Sequence, residues 1–250
     1  MNSKHDPMGR AIADYWNTGQ AETLRVFSPM FEEDEIPLPT LFRNYESMPK
    51  TEQKALQLAR GRVLDVGAGA GCHSLVLQQK GADVTAIDIS PLAVQTMRRR
   101  GLAKVLEQDF FDVKEPFDTV LMLMNGIGLA GSLKRLPEFF EQLGRILAPE
   151  GQLLCDSSDI SYVFEDEDGN IEYPDTGNYY GELRYQMQYK DTVGNPFDWL
   201  YVDADTLRRH ADKCGFTMET VAKGEHYDYL ARICRKTART NAPDSGTITG

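Results

Sequence analysis

The stretch Val63-Leu64-Asp65-Val66-Gly67-Ala68-Gly69-Ala70-Gly71 runs from an apolar segment into a turn of alternating glycines. Because glycine carries no Cβ, such a turn lets the backbone approach a ligand closely. The helix expected to follow would point the free N–H groups of its first turn at the same ligand. The next apolar run ends at Asp88, and an acid at the end of a second strand usually holds a ribose diol. The chain is therefore predicted to bind a nucleoside-containing ligand.

Strand-like and helix-like segments alternate along the middle of the chain, from residue 62 to residue 157. Such alternation predicts a parallel sheet with helices on both faces, a doubly wound, Rossmann-like α/β sandwich of three layers. Ligands of these sheets bind outside the carboxyl ends of the strands. The predicted strands are 62–66, 83–88, 104–108, 117–124 and 152–157, and the predicted helices are 71–80, 91–100 and 132–147. Ser90 is expected to cap the second of these helices.

The segments on either side of this pattern are less regular. Residues 1–60 are predicted to form a helical extension, with helices over 8–17 and 51–60. An insertion over 159–202 is expected to contain a β-hairpin that turns at Gly194-Asn195-Pro196. The other predicted elements are hairpin strands over 181–190 and 197–202, a helix over 205–214, final strands over 217–222 and 227–234, and a disordered tail over 237–250.

The composition is that of a globular protein with an acidic surface, since 27 lysines and arginines stand against 38 aspartates and glutamates. Nucleic-acid binders usually carry a basic face, so a net charge of −11 disfavours a nucleic-acid partner. No apolar run reaches the roughly 20 residues that a membrane-spanning helix needs, and residues 1–10 are too polar for a signal peptide. The four cysteines and four histidines show no metal-ligand spacing. We therefore expect a cytoplasmic protein without a membrane segment or a metal.

The spacing of the glycine turn separates two kinds of nucleoside-binding protein. A dinucleotide-binding turn reads Gly-x-Gly-x-x-Gly, whereas this turn reads Gly-x-Gly-x-Gly and carries Asp65 two residues before its first glycine. An acid at that position opposes a pyrophosphate and suits a ligand with a positive group. The sequence of residues 64–71 resembles the first motif of the class I S-adenosylmethionine-dependent methyltransferases. Four more segments resemble later motifs of that family in the expected order: 86–90, 108–110, 117–121 and 147–154.

The resemblance implies the arrangement of the whole chain. The family has a mostly parallel, seven-stranded sheet whose last strand is antiparallel, and residues 227–234 would form that strand here. The methyltransferase domain would span 61–236 and contain the insertion 159–202. The implied cofactor is S-adenosylmethionine, and its product is S-adenosylhomocysteine.

The resemblance also implies a set of cofactor-binding residues. The set consists of Asp65, Gly67, Ala68, Gly69, Gly71, Asp88, Ile89, Asp109, Phe110 and Met124. The glycines would pass under the methionyl part of the cofactor, Asp65 would face its ammonium group, and Asp88 would accept its ribose hydroxyls. Ile89 and Phe110 would contact the adenine ring, and Asp109 its amino group. These side chains could instead serve the fold alone, as turn caps, solvated acids or core rings.

No catalytic motif is evident in the sequence. Methyl transfer from a sulfonium is an in-line displacement on an activated donor, so the protein mainly has to align the acceptor. A general base is needed only when the acceptor must first lose a proton. Amine-methylating members of the family often carry Asn-Pro-Pro-Tyr after the fourth strand, whereas this chain has Asn125-Gly126-Ile127-Gly128, so the sequence does not support that assignment. The candidate catalytic residues are His73, Asn125, Asp156, Tyr15 and Tyr180.

We therefore predict a methyltransferase that transfers a methyl group to a small-molecule acceptor, with residues 1–60 and 159–202 forming a lid. The protein would be a monomer or a homodimer. One alternative is a methyltransferase that acts on RNA or protein, and another is a non-catalytic S-adenosylmethionine-binding protein. The shared fold also leaves an NAD(P)-dependent oxidoreductase as an alternative, which the glycine spacing opposes.

Overall fold

The computed structural model describes residues 5–173, 175 and 177–236, which form two sheets and their covering helices. In chain order the strands are β1 (Leu24–Phe27), β2 (Asp34–Ile36), β3 (Arg62–Val66), β4 (Asp83–Asp88), β5 (Val105–Glu107), β6 (Phe117–Met122), β7 (Leu147–Ser158), β8 (Glu182–Tyr189), β9 (Thr192–Val193), β10 (Phe197–Leu200), β11 (Phe216–Lys223) and β12 (Asp228–Arg235). The α-helices are α1 (Pro7–Thr18), α2 (Lys50–Leu58), α3 (Cys72–Gln79), α4 (Pro91–Arg99), α5 (Leu136–Ile146) and α6 (Ala204–Lys213).

The central sheet has seven strands in the order β11-β12-β7-β6-β3-β4-β5. β12 is antiparallel to both of its neighbours, and the other pairings are parallel. This topology confirms the predicted Rossmann-like sheet with its antiparallel last strand. β3 and β4 begin and end at the predicted residues, because each is a short apolar run between polar residues and glycines.

Helices cover both faces of the central sheet. Successive side chains of a strand point to opposite faces, so Leu64 packs with α5 while its neighbour Val63 packs with α2 and α3. The same alternation places Val120 and Leu121 of β6 in the two opposite cores. Strands buried on both faces read as continuous apolar runs, which is why the sequence pattern predicts them well.

A second, antiparallel sheet, called here the small sheet, has the order β10-β8-β1-β2, and β9 pairs with β8. It joins the N-terminal segment to the insertion, because Leu24 of β1 lies opposite Tyr189 of β8. The prediction of a purely helical N-terminal extension is therefore corrected. β1 and β2 are four and three residues long, too short for their alternating pattern to stand out in the sequence.

The predicted hairpin strands do pair, as β8 and β10, but the chain does not reverse where predicted. It turns at Lys190 and Asp191, where Lys190 has a φ of 52° and Tyr189 lies opposite Thr192. Gly194-Asn195-Pro196 instead links β9 to β10. Proline lacks the N–H that a strand needs, so this tripeptide interrupts the strand instead of forming the tip.

The pairing register fixes which side chains of the small sheet share a face. One face, called here the inner face, carries Leu24, Val26, Asp34, Ile36, Leu183, Tyr185, Met187, Tyr189, Phe197 and Trp199. Leu24 and Tyr189 are fully buried there and pack with Ile12 of α1 and Ala70 of the glycine turn. The inner face therefore lies over the glycine turn, and Arg25, Arg184 and Asp198 belong to the opposite face.

The N-terminal helix is fixed by Asp6, a carboxylate with 1% exposure. Its Oδ1 accepts a hydrogen bond from the Gly9 N–H at 2.8 Å and caps α1, and its Oδ2 accepts from the Ser90 hydroxyl at 2.6 Å. Ser90 Oγ accepts from the Ala93 N–H at 3.0 Å and so caps α4 as predicted. These bonds join the start of α1 to the start of α4, beside the end of β4.

The remaining differences from prediction lie at element ends. α5 begins at Leu136 instead of residue 132, because residues 133–135 form a separate 3₁₀ turn before Pro137. β7 begins at Leu147, five residues earlier than predicted. The tail predicted over 237–250 lies outside the described residues. Within the described ranges, no helix combines the length and apolar character that crossing a membrane requires.

Replacing Asp6 by alanine should destabilise the protein. The substitution removes a helix cap, which costs about 0.5–2 kcal/mol, and leaves the buried Ser90 hydroxyl without its acceptor, which costs about 1–3 kcal/mol more. We expect Asp6→Ala to lower the free energy of unfolding in urea by about 1.5–5 kcal/mol. Asn44→Ala is the control, since it removes a cap on the Ser47 N–H from an exposed turn. Equal losses in both variants would show that the bond to Ser90 contributes nothing.

Candidate functional site

The glycine turn follows β3 and is left-handed at three positions. The φ angles are 65° at Gly67, 56° at Gly69 and 81° at Gly71, values that cost other residues about 1–2 kcal/mol each. A Cβ added at Gly67 would meet no atom within 4 Å, whereas one at Gly71 would lie 2.7 Å from Leu102. Gly71 is therefore favoured by its left-handed φ, with the Leu102 and Met97 side chains close by, and Gly67 borders open space. This open cradle fits the methionyl part of S-adenosylmethionine.

Asp88 lies at the carboxyl end of β4, beside the glycine turn. Its Oδ2 accepts a hydrogen bond from the Gly69 N–H at 2.9 Å, and its Oδ1 accepts from the Ser90 N–H at 2.8 Å. Burial raises the pKa of this carboxyl group to about 6, although the two N–H groups oppose the shift. Next to it, the Ile89 side chain is 46% exposed. An acid with fixed oxygens beside an exposed apolar side chain suits a ribose with its adenine.

Asp65 lies beneath the turn, near the end of β3, and is 2% exposed. Its Oδ2 accepts a hydrogen bond from the Ser74 hydroxyl of α3 at 2.6 Å. Burial raises the pKa of Asp65, and the nearby charge of His73 partly offsets that rise. The carboxyl group thus sits under the cradle and is braced by the first turn of the following helix.

His73 belongs to a buried ionic cluster. Its Nε2 lies 2.9 Å from Glu52 Oε2, and the Arg43 guanidinium binds the same carboxylate. Burial opposes the charge on His73, but hydrogen bonds with Cys72 and Glu52 outweigh it and raise its pKa to about 10. A protonated imidazole has no lone pair to accept a proton, so we do not retain His73 as a candidate base. The stabilisation of the fold by protonated His73 is complete below the ordinary histidine pKa of 6.5. It is lost as the pH rises toward 10, because His73 then loses its proton.

Asp156 lies near the end of β7 and holds the loop that follows β6. Its two oxygens accept hydrogen bonds from the Met124 N–H at 3.1 Å and the Gly126 N–H at 3.3 Å. Met124 and Asn125 have φ angles of 64° and 58°, a strained backbone that these bonds support. Burial and the negative charge of Glu52 raise the pKa of Asp156 to about 7. The group can therefore hold or release a proton near neutral pH.

The Asn125 side chain makes one hydrogen bond through each end of its amide group. Its Oδ1 accepts from the Ser157 hydroxyl at 2.9 Å, and its Nδ2 donates to the Leu200 carbonyl at 3.2 Å. Asn125 therefore connects the loop after β6 to β7 and to the small sheet. Met124, the residue before it, is 37% exposed and lies at the open edge.

The two tyrosine candidates lie in different places. The Tyr180 hydroxyl donates to Asp159 Oδ1 at 2.7 Å, just after β7, and its ring stacks on Tyr173 at 4.6 Å. Tyr15 instead lines a surface cavity of about 390 Å³ beside residues 20–23 and 35–39. None of the motif residues borders that cavity, although Tyr15 also packs against the core cluster that contains Ala70 of the glycine turn.

The adenine end of the predicted site is only partly as expected. Asp109 is exposed, and its Oδ1 accepts from the Phe111 N–H at 2.9 Å. Phe110 is 3% exposed and stacks on Phe139 of α5, with 5.3 Å between ring centroids. This placement favours the alternative that Phe110 is a core ring.

Three side chains near the site were missed by sequence reasoning: Asp34, Tyr185 and Tyr201. The Tyr185 and Tyr201 hydroxyls share a hydrogen bond, and Asp34 lies close enough to both to raise their pKa values further, after burial. Asp34 and Tyr185 belong to the inner face, and Tyr201 follows β10 directly. The only sequence signal is the two-residue period of Leu183, Tyr185 and Met187, which marks Tyr185 alone.

Comparison with known proteins bears on the identity of this site. The profile of the methyltransferase domain matches residues 41–221, most of the chain. A solved S-adenosylmethionine-dependent methyltransferase from Bacteroides fragilis, in complex with S-adenosylhomocysteine, is 49% identical and has a TM-score of 0.90. The alignment covers 95% of this chain and 98% of that one.

Curated relatives match over shorter segments. YqeM of Bacillus subtilis is 32% identical over 129 residues, which are 46% of this chain and 52% of that protein. The ubiquinone biosynthesis O-methyltransferase of Xylella fastidiosa is 42% identical over 57 residues, 23% of each chain. This chain thus spans about half the length of these curated relatives, or less. From the profile match and the Bacteroides structure, the chain belongs to the family of class I S-adenosylmethionine-dependent methyltransferases.

Proposed function

We propose that the protein transfers a methyl group from S-adenosylmethionine to a small molecule held between the central sheet and the small sheet. The supporting observation is the position of the inner face. At one end it packs on Ala70 of the glycine turn, and at the other Trp199 lies so close to Gly128 that no Cβ would fit there. The inner face therefore lies over the edge where the donor and acceptor would meet, and we infer that a small acceptor binds between them.

We also propose which residues hold the donor. Asp88 would accept the ribose hydroxyls, Ile89 would lie against the adenine, and Gly67 and Gly69 would line the methionyl part. Asp65, buried beneath the turn, would attract the ammonium group through charge. When bound there, S-adenosylmethionine would supply a methyl group from its sulfonium sulfur. The sulfur would leave as the neutral thioether of S-adenosylhomocysteine.

The main catalytic task of the protein is then alignment and exclusion of water. Holding two reactants in line can lower a barrier by about 7–11 kcal/mol. The residues that would position the acceptor are those of the loop after β6, braced by Asp156 and Asn125, and those of the inner face. Where the acceptor must lose a proton, Asp156 is the candidate to receive it, because its pKa lies near 7.

The acceptor class has support from outside the site. The Xylella relative is named for ubiquinone biosynthesis, in which the methylated compound is a small molecule. A net charge of −11 opposes RNA as acceptor, because polyanions are repelled by an acidic surface. A protein acceptor remains the second candidate, with no feature of the site in its favour.

The affinity for S-adenosylhomocysteine should depend on the ionisation of Asp88. A carboxylate accepts hydroxyl hydrogens best when ionised, so the affinity should fall as the pH drops below about 6, by at most about ten-fold per pH unit. Asp88→Asn should weaken binding by about 1–3 kcal/mol and remove this pH dependence in calorimetric titrations. Asp83→Asn, at the opposite end of the same strand, should change neither the affinity for S-adenosylhomocysteine nor its pH dependence. A wild-type pH profile in the Asp88 variant would contradict the ribose assignment.

The acceptor itself can be tested with methyl-labelled S-adenosylmethionine and a cell extract divided into small molecules and macromolecules. We expect label in the small-molecule fraction, with one S-adenosylhomocysteine released per methyl group transferred. Label in protein or RNA instead would contradict the proposal. Binding of the donor without release of product in either fraction would identify a non-catalytic binding protein.

A further inference from the structure

The inner face combines aromatic rings with an acid. Three of its aromatic side chains are Tyr185, Phe197 and Trp199. The ring centroid of Phe197 lies 6.2 Å from that of Tyr185 and 6.0 Å from that of Trp199. Asp34 lies on the same face, opposite Val26, and is exposed. Its carboxylate accepts a hydrogen bond from the Glu35 N–H at 2.7 Å and makes no ion pair among the described residues. It is therefore placed to pair with a cation held against the neighbouring rings.

The groups around the Tyr185–Tyr201 pair are acidic or aromatic. Beyond the effect of burial, Asp34 and Tyr162 raise the pKa of both hydroxyls, and Asp156 raises the pKa of the Tyr201 hydroxyl. The basic side chains of the small sheet point away. Arg25 pairs with Glu33, and Arg184 pairs with Asp198 at 3.3 Å, both on the opposite face. The inner face thus carries one carboxylate, Asp34, and no cation, whereas the cations of the opposite face are paired with carboxylates.

Tyrosine rings continue this surface beyond β7. Tyr162 and Tyr227 stack at 4.8 Å and are 42% and 63% exposed. Tyr180 stacks on Tyr173 and donates its hydroxyl to Asp159. Exposed aromatic faces interleaved with carboxylates attract cations, because the ring quadrupole presents a negative face.

We propose that the acceptor is a cationic amine, bound by the aromatic rings and carboxylates between the inner face and the end of β7. This inference rests on the proposed transfer to a small molecule and names its class. It assigns no role to the Asn125 side chain, which is bound to Ser157 and to the Leu200 carbonyl.

The reaction balances with the groups present. The ammonium gives one proton to a carboxylate, for which Asp156 is the candidate. The nitrogen lone pair then forms the new N–C bond, while the C–S bond breaks and its electron pair stays on sulfur. The products are a methylated ammonium and a neutral thioether, and the proton passes from the carboxyl group to water.

Recognition can be tested apart from turnover with two probes of nearly equal shape. Choline carries a permanent trimethylammonium group, and 3,3-dimethylbutan-1-ol is its neutral carbon analogue. In calorimetric titration of the protein saturated with S-adenosylhomocysteine, choline should bind more tightly by about ten-fold or more. Equal binding of the two probes, tighter binding of the alcohol, or binding of neither would overturn the inference.

A pair of variants separates the inner face from general surface charge. Asp34→Asn should reduce the preference for choline by about three-fold or more, because it removes a carboxylate beside the rings. Asp198→Asn removes the same charge from the opposite face and should leave the preference unchanged. An equal effect of both substitutions would assign the preference to net charge and overturn the inference. Retained affinity for S-adenosylhomocysteine verifies that each variant is folded.

The labelled product of the extract experiment distinguishes the two proposals. A methylated amine should be retained by a cation-exchange resin at neutral pH. A labelled small molecule that is not retained would overturn the amine and leave small-molecule transfer intact. Label confined to macromolecules would overturn the proposed function itself.

Discussion

The carboxylate of Asp88 is the point on which the other parts of the structure depend. It binds the N–H of Gly69 and the N–H of Ser90, and so fixes the glycine turn after β3 against the start of α4. The hydroxyl of Ser90 then binds Asp6, the cap of α1. One line of hydrogen bonds therefore runs from the donor edge of the central sheet to the helix that carries the small sheet.

The two sheets divide the work of a transferase. The central sheet provides a left-handed turn and strand-end acids, features suited to one donor and set by backbone geometry. The small sheet is built from distant parts of the chain and contributes side chains only. If the acceptor binds at the inner face as proposed, variation in Tyr185, Phe197 or Asp34 changes the acceptor while the bonds around Asp88 stay as they are.

The parts of the fold that could be predicted from sequence are those whose signal is local. β3 and β4 are apolar runs bounded by glycines and polar residues, and Ser90 followed by Pro91 is a local helix start. β1 could not be predicted, because Leu24 and Val26 become strand residues only through pairing with Tyr189 and Met187.

The site residues follow the same rule. The glycine turn and Asp88 are recognisable from spacing, whereas the ring of Phe110 was assigned to the ligand edge and lies against Phe139. His73 looked available as a base until its pairing with Glu52 was visible. Asp34 and Tyr201 carry no local pattern, since only the register of the small sheet and the path of the chain after β10 bring them together.

The pairing of β1 with β8 has a consequence for how the molecule is made. During synthesis β1 emerges early and has no strand to pair with on its other edge until Tyr189 has left the ribosome. Contacts between such distant parts of a chain form late, because closing a long loop costs entropy before the pairing repays it. The glycine turn and the end of β4 can therefore form before the small sheet is complete, and a nascent chain that ends before Tyr189 contains that turn but lacks the β1–β8 pairing.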